Sequence, residues 1–331
     1  MNNFWHDKKV LVTGAGGFIG SHLIEKLVAN GASVRAFVRY NSRGDPGLLS
    51  LIPAKMLSKI EIVAGDLRVS QSVTEAIKGC QYIYHLGALV SIPYSYFHPV
   101  EVAENNILST LNVLSSSSNN GVIRIIHTSS SEVYGTALRV PIDESHPLQG
   151  QSPYSASKIG SDKLAESFYS AFGLPVVTIR PFNTYGPHQS ARAVIPTIIT
   201  QALAQDEIHL GNLDTARDFT YVDDTVNGFL SAATTADIDG ETFNLGTGEA
   251  IKIGDLANRI IQKIGNHSEI VADPARLRPK KSEVFNLVSD NSFASNKLGW
   301  QPEISLDQGL DHTIDWFKEN LELYNIGTYE Y

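Results

Sequence analysis

Tyr154 and Lys158 stand four residues apart in Tyr154-Ser155-Ala156-Ser157-Lys158. On a helix that spacing puts both side chains on one face. An ammonium held near a phenol lowers the phenol's pKa toward a range useful to a base at neutral pH. The pair gains weight from Ser129, Ser130, Ser131 and Glu132, which close a strand-like run at 122–129. Functional side chains collect at such strand ends in open α/β sheets. A second group of residues could hold phosphate. Gly14-Ala15-Gly16-Gly17-Phe18-Ile19-Gly20 follows an apolar run and opens a helix. Gly14 permits the tight turn, Gly17 lets the backbone approach a pyrophosphate, and Gly20 lets helix and strand pack closely. Phe18 and Ile19 lead into the helix, whose first N–H groups and positive dipole end face the phosphates.

The residues around that turn bear on the choice of dinucleotide. At the end of a second strand NAD usually meets an acidic residue, which accepts from the adenosine ribose. Here the position holds Arg39, followed by Ser42 and Arg43 in the same stretch. An arginine cannot accept from a 2′-hydroxyl but can pair with a 2′-phosphate. NADP is therefore the first expectation and NAD the second. After a third strand, Asp66 and Leu67 are expected to flank the adenine, Asp66 accepting its amino group. Gly87 and Ala88, after a fourth, would line the pyrophosphate with little bulk.

Strands at 9–13, 33–38, 60–64, 82–86, 122–129 and 176–180 must position these groups, with helices at 19–30, 72–78, 98–116 and 155–172 between them. Strands separated by helices at this spacing predict a doubly wound parallel α/β sheet of Rossmann type. After Arg180 the rhythm loosens. The stretch 181–213 is rich in turn residues; a helix at 223–233, a strand at 242–245 and a helix at 253–264 follow, and Pro274, Pro279 and Pro302 interrupt the rest. This predicts a dinucleotide-binding domain over 1–180, with 218–245 returning to it. A smaller substrate lobe is expected from 181–217 and 246–331, packed over the C-terminal edge of the sheet.

Composition narrows the function classes. With 331 residues, 42% apolar and 18% charged, the chain is an ordinary globular α/β protein. Its net charge of −9 argues against a nucleic-acid partner, which would need a basic footprint. A diphosphate ligand held by local arginines is compatible with that charge. The single cysteine, Cys80, allows neither an internal disulfide nor a cysteine-based metal cage and reads as a core residue. The ten histidines show no metal-ligand spacing, so no metal is expected. The polar start of the chain does not read as a signal peptide, and no run of about eighteen apolar residues suggests a membrane span. The expectation is a cytoplasmic protein without a membrane partner.

Taken together, Gly14-x-x-Gly17-x-x-Gly20, Ser130, Tyr154-x-x-x-Lys158 and Arg180-Pro181-Phe182-Asn183-x-Tyr185-Gly186-Pro187 resemble the extended short-chain dehydrogenases/reductases that act on nucleotide sugars. The resemblance runs from about Lys9 to about Trp316. Residues 91–96, 128–135, 149–154 and 190–196 look more closely like the legionaminic-acid-type nucleotide–N-acetylglucosamine 4,6-dehydratases. That likeness implies that Tyr154 takes the proton of the sugar 4-hydroxyl while C4 gives up hydride. Ser130 would hydrogen-bond the same oxygen, and Lys158 would hold the cofactor ribose and tune Tyr154. Glu132 would remove the C5 proton made acidic by the 4-keto group. The C6 hydroxyl would then leave, and hydride would return to C6.

The resemblance also implies that Asn183 contacts the substrate diphosphate, that Arg217 and Arg278 are phosphate or ribose ligands, and that Arg192 and Val194 belong to the same site. The expected partner is a UDP- or GDP-linked amino sugar, and the expected assembly a homodimer through the helices at 98–116 and 155–172. One departure stands out. Where glucose-type 4,6-dehydratases carry an aspartic acid just before the glutamate, this chain has Ser131, a poor proton donor. The same Ser-Glu pair occurs in UDP-glucuronate decarboxylases, so that activity stays open beside the dehydratase, as does 4-epimerisation. A non-catalytic NADP-binding sensor would not need Ser130, Glu132, Tyr154 and Lys158 together.

Overall fold

Runs such as Val10-Leu11-Val12 are buried on both faces, and only a sheet covered by helices on either side can bury them so. The computed structural model describes residues 3–326 and has that sheet. Its strands are β1 (Lys9–Thr13), β2 (Ser33–Arg39), β3 (Glu61–Gly65), β4 (Tyr82–His85), β5 (Arg124–Thr128), β6 (Val176–Pro181) and β7 (Thr242–Leu245). They lie in the order β3-β2-β1-β4-β5-β6-β7, all parallel. The order reverses between β1 and β4, which opens a crevice at their carboxyl ends. The doubly wound parallel fold expected from the sequence is thus the fold of the chain.

Each face of the sheet has its own core. On one, Leu23, Ile24 and Leu27 of helix α1 (Phe18–Ala29) pack with Val226 and Phe229 from the helix at Val222–Thr234. On the other, Val73, Ile77, Val113 and Leu114 join Ala165 of helix α2 (Pro153–Phe172). Cys80 lies in this second core, where burial raises its thiol pKa. Among the described residues, no helix is long and apolar enough to cross a membrane.

The sequence reading needs three corrections of local structure. The helix expected at 98–116 contains a π-turn at Glu104–Leu108, between α-helical pieces at Pro99–Ala103 and Ser109–Ser118. The turn-rich stretch hides helix α3 (Val194–Ala204), buried from Ile195 to Ala202. A helix covered all round shows no amphipathic stripe, and Pro196 is tolerated in its first turn. Helix α4 (Leu306–Glu319) follows closely on Pro302, which reads in the sequence as an interruption. Gly309 is there for packing, since a Cβ would lie 2.1 Å from the Tyr185 hydroxyl. A capping box of Ser305 and Gln308 starts this helix.

Short pairs of strands build the floor above the sheet edge. Asn183–Tyr185 runs parallel to Phe219–Tyr221, and Ala216–Arg217 lies between Ile251–Lys252 and Asn286–Leu287. Asp218 pins this floor. Its buried carboxylate accepts from the backbone N–H groups of Thr247, Gly248 and Ser289 and from the Thr247 hydroxyl.

Candidate active site

The turn after β1 leaves no room for side chains. Gly14 has φ +67°, and a Cβ there would sit 2.8 Å from the Gly87 nitrogen. A Cβ on Gly20 would lie 2.4 Å from the Gly14 carbonyl oxygen. Gly16, which the sequence reading passed over, is as tightly held, its Cβ position 2.5 Å from the Pro46 carbonyl oxygen. Gly17 caps α1 without a side-chain bond, and the first turn carries no acidic residue. Its N–H groups therefore face the crevice uncompensated, a seat for an anion.

The backbone at Gly87 is fixed from below. Thr110 gives its hydroxyl proton to the Asn106 carbonyl (2.8 Å), so it accepts from His85 Nε2 (3.2 Å). That assigns His85 Nδ1 as the acceptor of the Thr13 hydroxyl (2.8 Å), and Thr13 Oγ1 in turn accepts from Gly87 N–H (3.1 Å). Burial holds the His85 pKa well below its ordinary value, which keeps the ring neutral.

A cavity of about 640 Å³ opens over this turn. Its wall includes Gly14, Gly17, Phe18, Ile19, Gly20, Arg39 and Ala88, as the sequence predicts. It also includes Asn41 and Asp45, which the sequence reading missed. Asp45 sits beyond the strand end in a loop where the Asn41 side chain bonds the Arg43 and Asp45 backbones, and no periodicity marks such a position. Ser42, Arg43, Asp66, Leu67 and Gly87 are not on the walls of this cavity. Asp66 is instead held by Arg68, with a shortest contact of 2.6 Å that keeps the carboxyl below its usual range. Leu67 packs behind Gly87, its Cδ1 2.4 Å from where a Cβ would stand.

A second cavity of about 880 Å³ lies beyond the first, with Arg192, Val194, Arg217 and Arg278 on its walls. Ser130, Glu132, Tyr154 and Asn183 line both cavities and stand at their junction, whereas Lys158, expected to hold the cofactor ribose, is buried and on the wall of neither. Ser131 faces only the first and is buried.

Ser130 caps the 3-10 turn Ser131–Tyr134 by accepting from Glu132 N–H at 3.2 Å. Glu132 is thereby held at the strand end, with Arg278 Nη1 3.5 Å from its carboxylate. Tyr154 starts α2 behind the capping box of Ser152 and Ser155. Burial pushes its phenol up to about 12, against the lowering effect of a hydrogen bond with Ser130. This corrects the expectation that Lys158 brings the phenol toward neutrality. Burial dominates, and Lys158 spends its shortest bond on the Thr128 carbonyl at 2.6 Å. The Lys158 ammonium is itself brought down to about 8 by burial, with Asp162 opposing. One turn further on, buried Asp162 accepts from Ser129 Oγ (2.8 Å) and Arg180 (3.0 Å) and contacts His127 Nε2 (3.1 Å), which locks α2 to β5 and β6.

Two buried oxygens at the junction lack a partner among the described residues, Asn183 Oδ1 and Gln189 Oε1. Both residues line both cavities, although the two oxygens themselves are covered. Asn183 was expected here; Gln189 was not, since a glutamine in a loop carries no spacing signal. His188 stacks on His22 with ring centroids 4.5 Å apart, and burial lowers it to about 4. Among the described residues, no group of three His, Cys, Asp or Glu is placed to hold a metal ion.

A seven-stranded doubly wound sheet, a glycine turn at its switch point and a Ser-Tyr-Lys cluster over β5 define an extended short-chain dehydrogenase/reductase of the nucleotide-sugar dehydratase and epimerase kind. The chain belongs to the GDP-mannose 4,6 dehydratase family, which it matches over residues 11–313. It is 31% identical over 325 residues to the human dTDP-D-glucose 4,6-dehydratase, covering 95% of this chain and 91% of that one. It is 32% identical over 317 residues to the UDP-glucose 4-epimerase of Mycolicibacterium smegmatis, covering 94% and 98%. Among solved structures, the dTDP-glucose 4,6-dehydratase of Streptomyces venezuelae with NAD and TYD bound is 29% identical and superposes with TM-score 0.87, covering 96% and 99%.

Proposed function

We propose that the chain is a nucleotide-sugar 4,6-dehydratase that takes UDP- or GDP-linked N-acetylglucosamine to a 4-keto-6-deoxy sugar. The observation that carries this reading is Glu132 at the junction of the two cavities, beside Tyr154 and Ser130. A 4-epimerase leaves C5 untouched and gives that carboxylate no proton to move. The two cavities divide the ligands. The smaller, with its glycine cradle and open helix N-terminus, fits a nicotinamide dinucleotide; the larger, with Arg192, Arg217 and Arg278, fits a sugar diphosphate. The matching domain assignment is 1–180 with 218–245 for the dinucleotide and the remainder for the sugar nucleotide.

When bound, a nicotinamide dinucleotide would supply both the hydride acceptor and the hydride donor of the reaction, so no outside reductant would be needed. The chain's own groups move the protons. Tyr154 takes the proton of the 4-hydroxyl, and Ser130 hydrogen-bonds the oxygen. Glu132 takes the C5 proton. With Ser131 buried and non-acidic, the protonated Glu132 then gives that proton to the departing C6 hydroxyl. Water leaves, and once the bound dinucleotide has reduced C6, C5 would regain a proton from solvent by way of Glu132.

The test is Glu132→Gln, which preserves shape but cannot act as the base. Given UDP- or GDP-N-acetylglucosamine, this variant is expected to oxidise C4 and stop, accumulating reduced nicotinamide absorbance. Near-normal turnover, or wild-type enzyme that places no solvent deuterium at C5, would refute the dehydratase reading. Release of carbon dioxide from UDP-glucuronate would replace it with a decarboxylase. Exposed Val100 and Phe172, on the helices at Pro99–Ala103 and Pro153–Phe172, support a homodimer, and a monomer mass by light scattering at micromolar concentration would exclude it.

A further inference from the structure

Three segments distant in sequence meet at one hydroxyl. Ser282 Oγ lies 2.6 Å from the Gln151 carbonyl oxygen and 2.6 Å from the Tyr96 hydroxyl. A carbonyl can only accept, so Ser282 gives its single proton to Gln151, and Tyr96 must donate to Ser282. The chain of bonds has one direction, from the Tyr96 hydroxyl through Ser282 to the Gln151 backbone. At each end of it stands a wall of the substrate cavity. Tyr96 belongs to the helix Ile92–Phe97, whose first residues Ile92 and Pro93 line the larger cavity. Gln151 precedes Ser152, the N-cap of the helix that carries Tyr154.

Ser282 itself sits in a tight turn. Its N–H donates to the Pro279 carbonyl at 2.7 Å, and Glu283 N–H donates to the same oxygen at 3.1 Å. That turn delivers two charged groups to the cavity. Arg278, just before Pro279, reaches Glu132, while Glu283 stands 3.9 Å from Arg217. Both arginines are more than two-thirds buried at the side chain, and their placement depends on where the turn is fastened. Apart from the turn's own backbone bonds, the Ser282 hydroxyl is the shortest tie between this arm and the loops before Tyr154.

We infer that Ser282, loaded by Tyr96, is a positioning residue that fastens the arginine arm to the Tyr154 loop and so sets the grip on the diphosphate of the sugar nucleotide. The inference rests on the larger cavity taking a nucleotide diphosphate, but not on which reaction follows. Hydrogen bonds of this kind contribute about 0.5–1.5 kcal/mol net, so cutting the chain corresponds to a loss of roughly 2- to 12-fold in affinity.

The experiment measures Kd on the whole protein for UDP, dTDP and GDP, then follows whichever the wild type binds tightest. Ser282→Ala is expected to weaken that nucleotide several-fold and leave the dinucleotide Kd unchanged, because neither Ser282 nor Tyr96 lines the smaller cavity. Tyr96→Phe should weaken it less. The double variant should be no worse than Ser282→Ala alone, since Tyr96 acts through that hydroxyl. Ser282→Thr, which keeps the hydroxyl, should restore most of the affinity. Unchanged nucleotide affinity in Ser282→Ala, additive losses in the double variant, or an equal loss of dinucleotide binding would overturn the inference. Should no nucleoside diphosphate bind the wild type, the inference falls together with the assignment of the larger cavity. A protein that binds the nucleotide yet fails to dehydrate its sugar would sink the proposed reaction and leave Ser282 untouched.

Discussion

The two ends of the crevice are built from different materials. The end over β1 is made mostly of backbone, with glycines whose missing Cβ atoms leave the space and helix N–H groups that supply the polarity. The far end is made of side chains, with Arg217 from a short strand, Arg278 from a turn and Arg192 ahead of α3. A backbone site is specified by a few adjacent residues, and its geometry is local. A side-chain site depends on how separate segments pack, and each long side chain must be held by partners to be useful. Here the partners are charged or buried, Glu132 for Arg278 and Glu283 for Arg217.

This contrast can be broken or sharpened by substitutions that strike one end or the junction. The largest effect is expected at the junction itself. Tyr154→Phe keeps the ring and its packing but removes the phenolic proton, so kcat should fall by roughly 10²–10⁴ while both ligands still bind. A variant keeping more than about a tenth of wild-type kcat would remove Tyr154 from the reaction. Arg217→Met comes next and strikes the far end alone. Charge-assisted bonds are worth about 1.5–3 kcal/mol, so nucleoside diphosphate should bind roughly 10- to 150-fold more weakly, with dinucleotide affinity unchanged in the same titration. Parallel losses of both ligands would show that the two ends are not separate sites.

The smallest effect is expected at the adenosine edge of the glycine end. The wall there holds one guanidinium, Arg39, and one carboxylate, Asp45. A guanidinium at Arg39 would favour the 2′-phosphate of NADP, whereas Asp45 would repel it and could accept from the ribose hydroxyl of NAD. The two oppose each other, so the wild-type preference should be modest. Arg39→Asp should move the ratio of the two dissociation constants toward NAD by about tenfold, the order of one charge-assisted bond. An unchanged ratio, measured on cofactor-stripped protein, would mean that Arg39 does not reach the 2′ position.

At the glycine end the sequence placed the turn but missed part of the wall, whereas Asn183, Arg192, Val194, Arg217 and Arg278, named for the far end by resemblance, all stand on its wall. Gly14, Gly17 and Gly20 stand in one short stretch, and the turn, the helix start and the strand before it are all local consequences of that stretch. Arg39 was read from its place at a strand end, but Asp45 was not, because it reaches the wall only through the fold of the loop around Asn41. In the second half, α3 is not legible because burial on every side erases its stripe, and α4 because it starts just after Pro302, which reads as an interruption.

By itself, then, the sequence determined the alternation of strands and helices, the glycine turn and the types of the candidate reacting groups, because periodicity and adjacent spacing are properties of a chain read along its length. Only the tertiary structure decided how those groups behave. It buried Tyr154 and pushed its phenol to about 12, turned the Lys158 ammonium onto the Thr128 carbonyl, and set Arg278 against Glu132. It also left Asn183 Oδ1 and Gln189 Oε1 without partners among the described residues. Desolvation and charge pairing depend on which atoms from distant segments exclude water around a group, and spacing along the chain carries no record of that.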